Sequence, residues 1–171
     1  MKKYMAAVVA LLFILTACGY TMSGRGSQAG PTKGKYKVSV PLFVNNSYLP
    51  LLEEDVTAAL KDELALDGRW VLTDTDKADL LVTGVVKGVD LAPLSYDKNQ
   101  EVMEYGLDMV VEVKVTDLKT SKVVWKNTMN SFCGYRVTPD VTKTKINKEE
   151  AIKKASQNFA EEFVVRVLDS F

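Results

Sequence analysis

The stretch from Glu101 to Asp117 alternates between apolar and polar residues, and this pattern limits the fold more than any other part of the sequence. Period-2 alternation is typical of a β-strand with one face on a core and the other toward water. The apolar positions are Met103, Tyr105, Leu107, Met109, Val111, Val113 and Val115. We therefore predict one long strand over this stretch.

A second strand is predicted after the polar turn 117–122, running from Val123 toward Tyr135. Two such strands with a short polar connection predict an antiparallel hairpin. The core face of the second strand would carry Val123, Trp125, Met129, Cys133 and Tyr135. The polar face of the hairpin would carry Glu104, Asp108, Glu112, Lys114, Thr116, Lys126, Thr128 and Asn130.

In the region before the hairpin we predict a strand at 36–43, closed by Pro41 and the Asn45-Asn46-Ser47 turn. A helix from Pro50 to about Gly68 is predicted to follow. One face of this helix is apolar, with Leu52, Val56, Ala59, Leu60 and Leu64 at helical spacing. A short strand at 69–73 and a strand at 80–89, bent or bulged near its glycines, would follow. Residues 92–99 are interpreted as the connection into the hairpin.

After the hairpin, residues 136–146 are interpreted as a basic loop with Arg136, Lys143 and Lys145. Asn147 and Glu150 have the spacing of a helix capping box. The helix that follows would bury Ile152, Ala155, Phe159, Phe163, Val167 and Phe171. The element order predicts an α+β fold, with two helices packed on one face of a mixed, mostly antiparallel sheet of four to five strands.

The first residues have the features of an export signal. Lys2 and Lys3 precede an apolar run that ends in Leu15-Thr16-Ala17-Cys18, which resembles a bacterial lipobox. We predict a signal peptide at 1–17, lipidation of Cys18, a flexible lipidated tether at 18–35 and one domain at 36–171. The alternative is an ordinary secretory signal with a chance cysteine. Gly19 rather than Asp follows Cys18, which by resemblance to bacterial sorting permits transport to the outer membrane.

Composition restricts the function classes. The sequence contains no histidine, which excludes histidine triads and histidine metal ligands, and its two cysteines are too few for a cysteine zinc site. Without residues 1–17 the chain has 20 basic and 22 acidic residues, which argues against nucleic-acid binding. We predict no enzyme activity, no cofactor and no metal. The paired glutamates 53/54 and 149/150 are better explained by stabilisation of predicted helix starts than by acid–base catalysis.

Cys133 would have no intramolecular partner once Cys18 carries lipid. We interpret it as a small buried apolar residue on the core face of the hairpin. An intermolecular disulfide in an oxidising compartment is the alternative.

Several segments together resemble the LptE family of lipopolysaccharide-assembly lipoproteins. The most telling is Tyr96-x-x-Asn99-x-x-x-x-Glu104-Tyr105, which leads into a valine-rich strand. The other segments are Cys18-Gly19-Tyr20, Val40-Pro41-Leu42-Phe43-Val44-Asn45-Asn46-Ser47, Ala78-Asp79-Leu80 with Gly84, and Asp117 followed by Val124-Trp125.

This resemblance implies a lipid-anchored protein on the periplasmic face of the outer membrane. It would plug and help to assemble an LptD-type β-barrel and bind lipopolysaccharide. Relatives place basic residues at positions that correspond to Lys98 and Lys145 here. Lys143, and more weakly Arg136, are further candidates for binding lipid phosphates. The alternative for these residues is ordinary solvated side chains.

A second interpretation comes from the strand at 38–45, the helix after it and the strand at 78–84. These segments also resemble periplasmic oligomeric scaffold lipoproteins of the curli-secretion or Tol type. The Tyr96-to-Tyr105 motif is absent from that class and favours the LptE family.

Overall fold

The computed structural model describes residues 36–168. In chain order the elements are β1 (Tyr36–Ser39), β2 (Val44–Asn45), α1 (Leu52–Asp67), β3 (Trp70–Leu72), a 3-10 turn (Thr75–Lys77), β4 (Leu80–Tyr96), β5 (Val102–Asp117), β6 (Lys122–Arg136) and α2 (Val141–Leu168). The predicted signal peptide, Cys18, the tether and Phe171 lie outside the described residues.

The six strands form one mixed sheet in the order β3-β1-β4-β5-β6, with β2 also paired to β4. β1 pairs in parallel with β3 and β4, whereas β4, β5 and β6 form an antiparallel meander. The predicted α+β class is confirmed, with one or two strands more than expected. The extra strand is β2, which lies just beyond the predicted strand 36–43: β1 ends at Ser39, before Pro41, and pairing with β4 resumes at Val44.

Both helices pack on one face of this sheet, the inner face. Phe43 contacts Phe159 of α2 edge-on with ring centroids 6.4 Å apart, and Trp125 of β6 contacts Phe163 in the same way at 5.3 Å. The core face of α1 is the predicted one, except that Thr57 is buried and Ala59 only partly so. α2 buries Ala151, Ala155, Ser156, Phe159, Ala160, Phe163, Val164 and Val167.

The long hairpin is confirmed, and the predicted core face of β5 is buried from Leu107 to Val115. The prediction is wrong for one apolar position near the start of each strand, Met103 in β5 and Val123 in β6. Met103 and Val123 are each 52% exposed, since both lie at strand ends. The polar residues of the hairpin lie on the opposite, outer face of the sheet.

The predicted connection at 92–99 is wrong, because β4 continues to Tyr96 and turns only at 97–101. Proline is tolerated in strands that lie at an edge or at a bulge. Both conditions hold at Pro93: β2 pairs with β4 only as far as Val86, and the register skips Leu94 between Pro93 and Ser95. The predicted bulge near Gly88 is confirmed by a register shift between Val86 and Gly88.

The predicted basic loop at 136–146 and capping box at Asn147 are also wrong. α2 starts at Val141, where the Asp140 carboxylate accepts backbone N–H bonds from Thr142 at 2.8 Å and Lys143 at 3.2 Å. This is an aspartate N-cap. Lys143 and Lys145 therefore lie on the first turns of a helix.

Candidate functional site

The turn between β4 and β5 holds Lys98 at one end of the sheet. The Asp97 carboxylate accepts the backbone N–H of Asn99 at 2.8 Å and of Glu101 at 2.9 Å. Gln100 closes the turn with a left-handed φ of 65°. These bonds order the turn and leave the Lys98 side chain exposed at its tip.

The end of β6 and the start of α2 lie at this same end of the sheet. The side-chain amide of Asn147 donates to the Arg136 carbonyl at 2.9 Å, and the Thr144 hydroxyl accepts the Thr138 N–H at 2.9 Å. Both bonds tie the helix start to the end of the strand. Three of the four predicted basic residues, Arg136, Lys143 and Lys145, are thus grouped around the start of α2.

Lys98 belongs to the same end but stands apart from the other three. The end of β6 is level with Met103, whose carbonyl accepts the Val137 N–H at 2.9 Å. The tip of the β4–β5 turn extends on the order of 10 Å further, at about 3.4 Å per residue. The basic residues therefore form two groups rather than one compact cluster, and we call them together the basic end.

The charges at the start of α2 are unusual for a helix. Acidic residues are favoured in the first turn because they complement the helix dipole, yet the first turn of α2 has none. Lys145 forms an exposed pair with Glu149, with Nζ and Oε1 3.8 Å apart. Such pairs stabilise weakly, so Lys145 remains available to an anion in solution.

A cleft of about 340 Å³ lies between β6 and α2 next to the basic end. Arg136 is the one predicted site residue that lines it; the other lining residues are Cys133, Gly134, Tyr135, Asn147, Glu150, Ala151 and Lys154. Cys133 is a free, half-buried thiol, and burial raises its pKa. Tyr135 stacks on Tyr105 with centroids 5.8 Å apart, and burial raises its pKa as well. Both groups are protonated at neutral pH and serve packing.

Within residues 36–168 the acidic and cysteine side chains form no group of three or more that could hold a metal ion. Over the same residues, neither helix combines the length and apolar character needed to cross a membrane.

A second surface feature lies on the outer face of the sheet and was missed in the sequence. Leu94 and Phe132 are about half exposed there and lie over Gly106. The available signal was Gly106, which interrupts the polar positions of β5, together with an aromatic residue at a polar-face position of β6. Their contact depends on strand register, which the sequence pattern does not provide.

Comparison with known proteins assigns the chain to a family. Residues 37–167 match the family described as LptE, lipopolysaccharide-assembly. No curated protein sequence matches significantly.

Solved structures that share the fold include two bacterial proteins. Rare lipoprotein B from Shewanella oneidensis aligns with a TM-score of 0.57 and 15% identity over 78% of this chain and 95% of that one. A hypothetical protein from Chlamydia trachomatis aligns with a TM-score of 0.56 and 11% identity over 78% and 96%.

Proposed function

Because the chain belongs to the LptE lipopolysaccharide-assembly family, we propose that it is an outer-membrane lipoprotein anchored through Cys18. In this role it plugs and helps to assemble an LptD-type β-barrel and binds lipopolysaccharide during delivery to the cell surface. The family match over most of the chain carries the proposal. The proposal divides the chain into a signal peptide at 1–17, a lipidated tether at 18–35 and an LptE-like domain from residue 36, and it includes no catalytic residue.

The basic end supports the lipopolysaccharide part of the proposal. Lys98 and the group formed by Arg136, Lys143 and Lys145 offer cations to lipid phosphates, and lysine serves as a mobile point charge for phosphate. Asp97 and Asp140, the nearest acids in sequence to Lys98 and Lys143, direct carboxylate oxygens to backbone N–H groups. Among the described residues, Lys145 has only its exposed pair with Glu149. The separation of the two groups fits a ligand with several anionic groups better than a single phosphate.

The test is a mild-detergent pull-down of the lipidated protein from outer membranes, with identification of the recovered protein and quantification of the recovered lipopolysaccharide. We expect one large β-barrel protein and lipopolysaccharide. The double variant Lys98→Glu/Lys145→Glu should retain the barrel and lower bound lipopolysaccharide several-fold, since each reversal replaces attraction by repulsion.

The control is Lys77→Glu, because Lys77 is 65% exposed and lies just before β4, at the opposite end of that strand from Lys98. Recovery of the protein alone as a multimer would contradict the proposal and favour the scaffold interpretation. Equal lipopolysaccharide loss in both variants would contradict the role of the basic end.

A further inference from the structure

Three small residues are aligned across the outer face of the sheet. Gly106 of β5 is paired with Ala92 of β4 on one side and with Gly134 of β6 on the other. Glycine within a strand often marks a place where another group approaches the backbone closely. Here a strip with no side chain larger than a methyl group crosses three hydrogen-bonded strands.

Leu94 and Phe132 lie on this strip. A Cβ atom added to Gly106 would be 2.7 Å from Phe132 Cε2 and 3.0 Å from Leu94 Cδ2. Covering a glycine with an aromatic ring stabilises a sheet, yet Phe132 is still 53% exposed and Leu94 48% exposed. The two side chains form an apolar platform on a stiff support.

The row beside the platform carries two opposed carboxylates. Asp90 is directly paired with Asp108, which is in turn paired with Phe132. Asp108 faces outward because its neighbours Leu107 and Met109 are fully buried on the inner face. Like charges at directly opposite positions destabilise a sheet, so this pair costs folding energy.

The next acidic position along β5 shows the ordinary arrangement. Glu112 forms an ion pair with Lys126 of β6, with Oε1 and Nζ 3.3 Å apart. On the far side of the glycine strip, Glu104 is paired with Arg136. In these two rows of described residues, the platform is bordered by the carboxylates of Asp90, Asp108 and Glu104 and by the guanidinium of Arg136. The net charge of these four side chains is negative.

We propose that this platform, made of Leu94, Phe132, Asp90 and Asp108, docks a polypeptide segment that presents an arginine or lysine beside an apolar side chain. The apolar group packs on Leu94 and Phe132, and the cation relieves the repulsion between the two aspartates. A lipid with phosphate groups fits poorly, since the same carboxylates repel it. The inference rests on the proposed function, which supplies the partner protein, and it places that partner on the outer face of the sheet.

The test is Asp108→Lys in the full-length lipidated protein, with recovery of the β-barrel partner in a mild-detergent pull-down. We expect at least about a tenfold loss of partner, because the variant sets a cation against the incoming cation. The fold should not suffer, since the introduced ammonium group faces Asp90 and replaces repulsion by attraction. The matched control is Asp62→Lys, an exposed aspartate on α1, which should leave recovery within about twofold.

A second pair of variants tests the apolar part. Phe132→Ser should lower partner recovery, whereas Leu66→Ser, at a leucine on α1 that is 80% exposed, should not. Asp108→Asn provides a readout that a purely structural role would not produce: its urea midpoint should rise while partner recovery falls.

The outcomes separate the two proposals. If the unmodified protein recovers no β-barrel, the proposed function fails and the docking assignment fails with it. If the unmodified protein recovers the barrel and Asp108→Lys recovers it equally well, the docking assignment alone is overturned. If Asp108→Lys changes bound lipopolysaccharide but not bound barrel, the platform is a lipid surface and the inference is wrong.

Discussion

Gly84 and Gly106 lie on opposite faces of the same sheet, and each lies under an aromatic ring. The ring over Gly84 belongs to Phe43, which is 3% exposed and packs edge-on against Phe159. The ring over Gly106 belongs to Phe132, which is 53% exposed. The local arrangement is similar, but one ring is enclosed by a second layer of structure and the other is not.

The difference shows what each face of the sheet contributes. On the inner face, the absence of a side chain at Gly84 lets the Phe43 ring pack directly on the backbone of β4, between the sheet and α2. On the outer face, Gly106 likewise lets Phe132 and Leu94 lie directly on the strands, and the apolar surface that they form is exposed. The inner face therefore accounts for stability, and the outer face is available for binding.

The largest expected effect is at Gly84. In Gly84→Ala, the added methyl group would overlap the Phe43 ring, which cannot move because it is enclosed by the core. Overpacking of this kind costs about 1–3 kcal/mol of unfolding free energy. Urea denaturation followed by the fluorescence of Trp70 and Trp125 measures the change.

Gly88→Ala is the matched control, because nothing lies within 4 Å of a Cβ at that position in the same strand. Its unfolding free energy should change by less than about 0.5 kcal/mol. Equal losses in the two variants would show that the Phe43 contact does not determine the effect, since strand propensity alone favours alanine over glycine.

A smaller effect is expected at Gly106. The atoms that a methyl group would meet in Gly106→Ala are the far ends of Phe132 and Leu94, and both side chains have solvent to move into. We expect a loss of less than about 1 kcal/mol in the same denaturation experiment. A loss as large as that of Gly84→Ala would contradict this expectation, since it would mean that Phe132 is held as firmly as Phe43.

The elements predicted well from the sequence are those in which burial follows a period. The alternation from Leu107 to Val115 matches the inner face of β5, and the spacing of Leu52, Val56, Leu60 and Leu64 matches the buried face of α1. In both cases one face is covered by another layer, so the residue pattern carries the information.

The elements that were missed lack this signal. Residues 141–147 of α2 bury no side chain, and the helix is held there by the Asp140 cap and the Asn147 bond to β6. The end of β4 was missed because residues 92–99 were interpreted as a connection, although an edge bulge accommodates Pro93 within the strand. The platform required the register that aligns Gly106 with Gly134, and alternation alone leaves register undetermined.

The smallest effect is expected far from either ring, at the exposed ion pair between Asp79 Oδ1 and Lys119 Nζ, which are 2.7 Å apart. The Lys119 ammonium group donates a hydrogen bond to Asp79 and holds the pKa of its carboxyl below the ordinary value. The folded protein therefore binds this proton more weakly than the unfolded chain. The stabilisation is present above the ordinary aspartate pKa and is lost as pH falls through the lower folded pKa.

A double-mutant cycle with Asp79→Asn and Lys119→Gln, measured by urea denaturation at several pH values, isolates this coupling. We expect a small coupling at neutral pH that vanishes in acid and weakens in high salt, because both groups are solvent-exposed. A coupling that persisted below the folded pKa would contradict the assignment to charge. A coupling as large as the Gly84→Ala loss would show that this surface ion pair stabilises the protein as much as the packing of the Phe43 ring does.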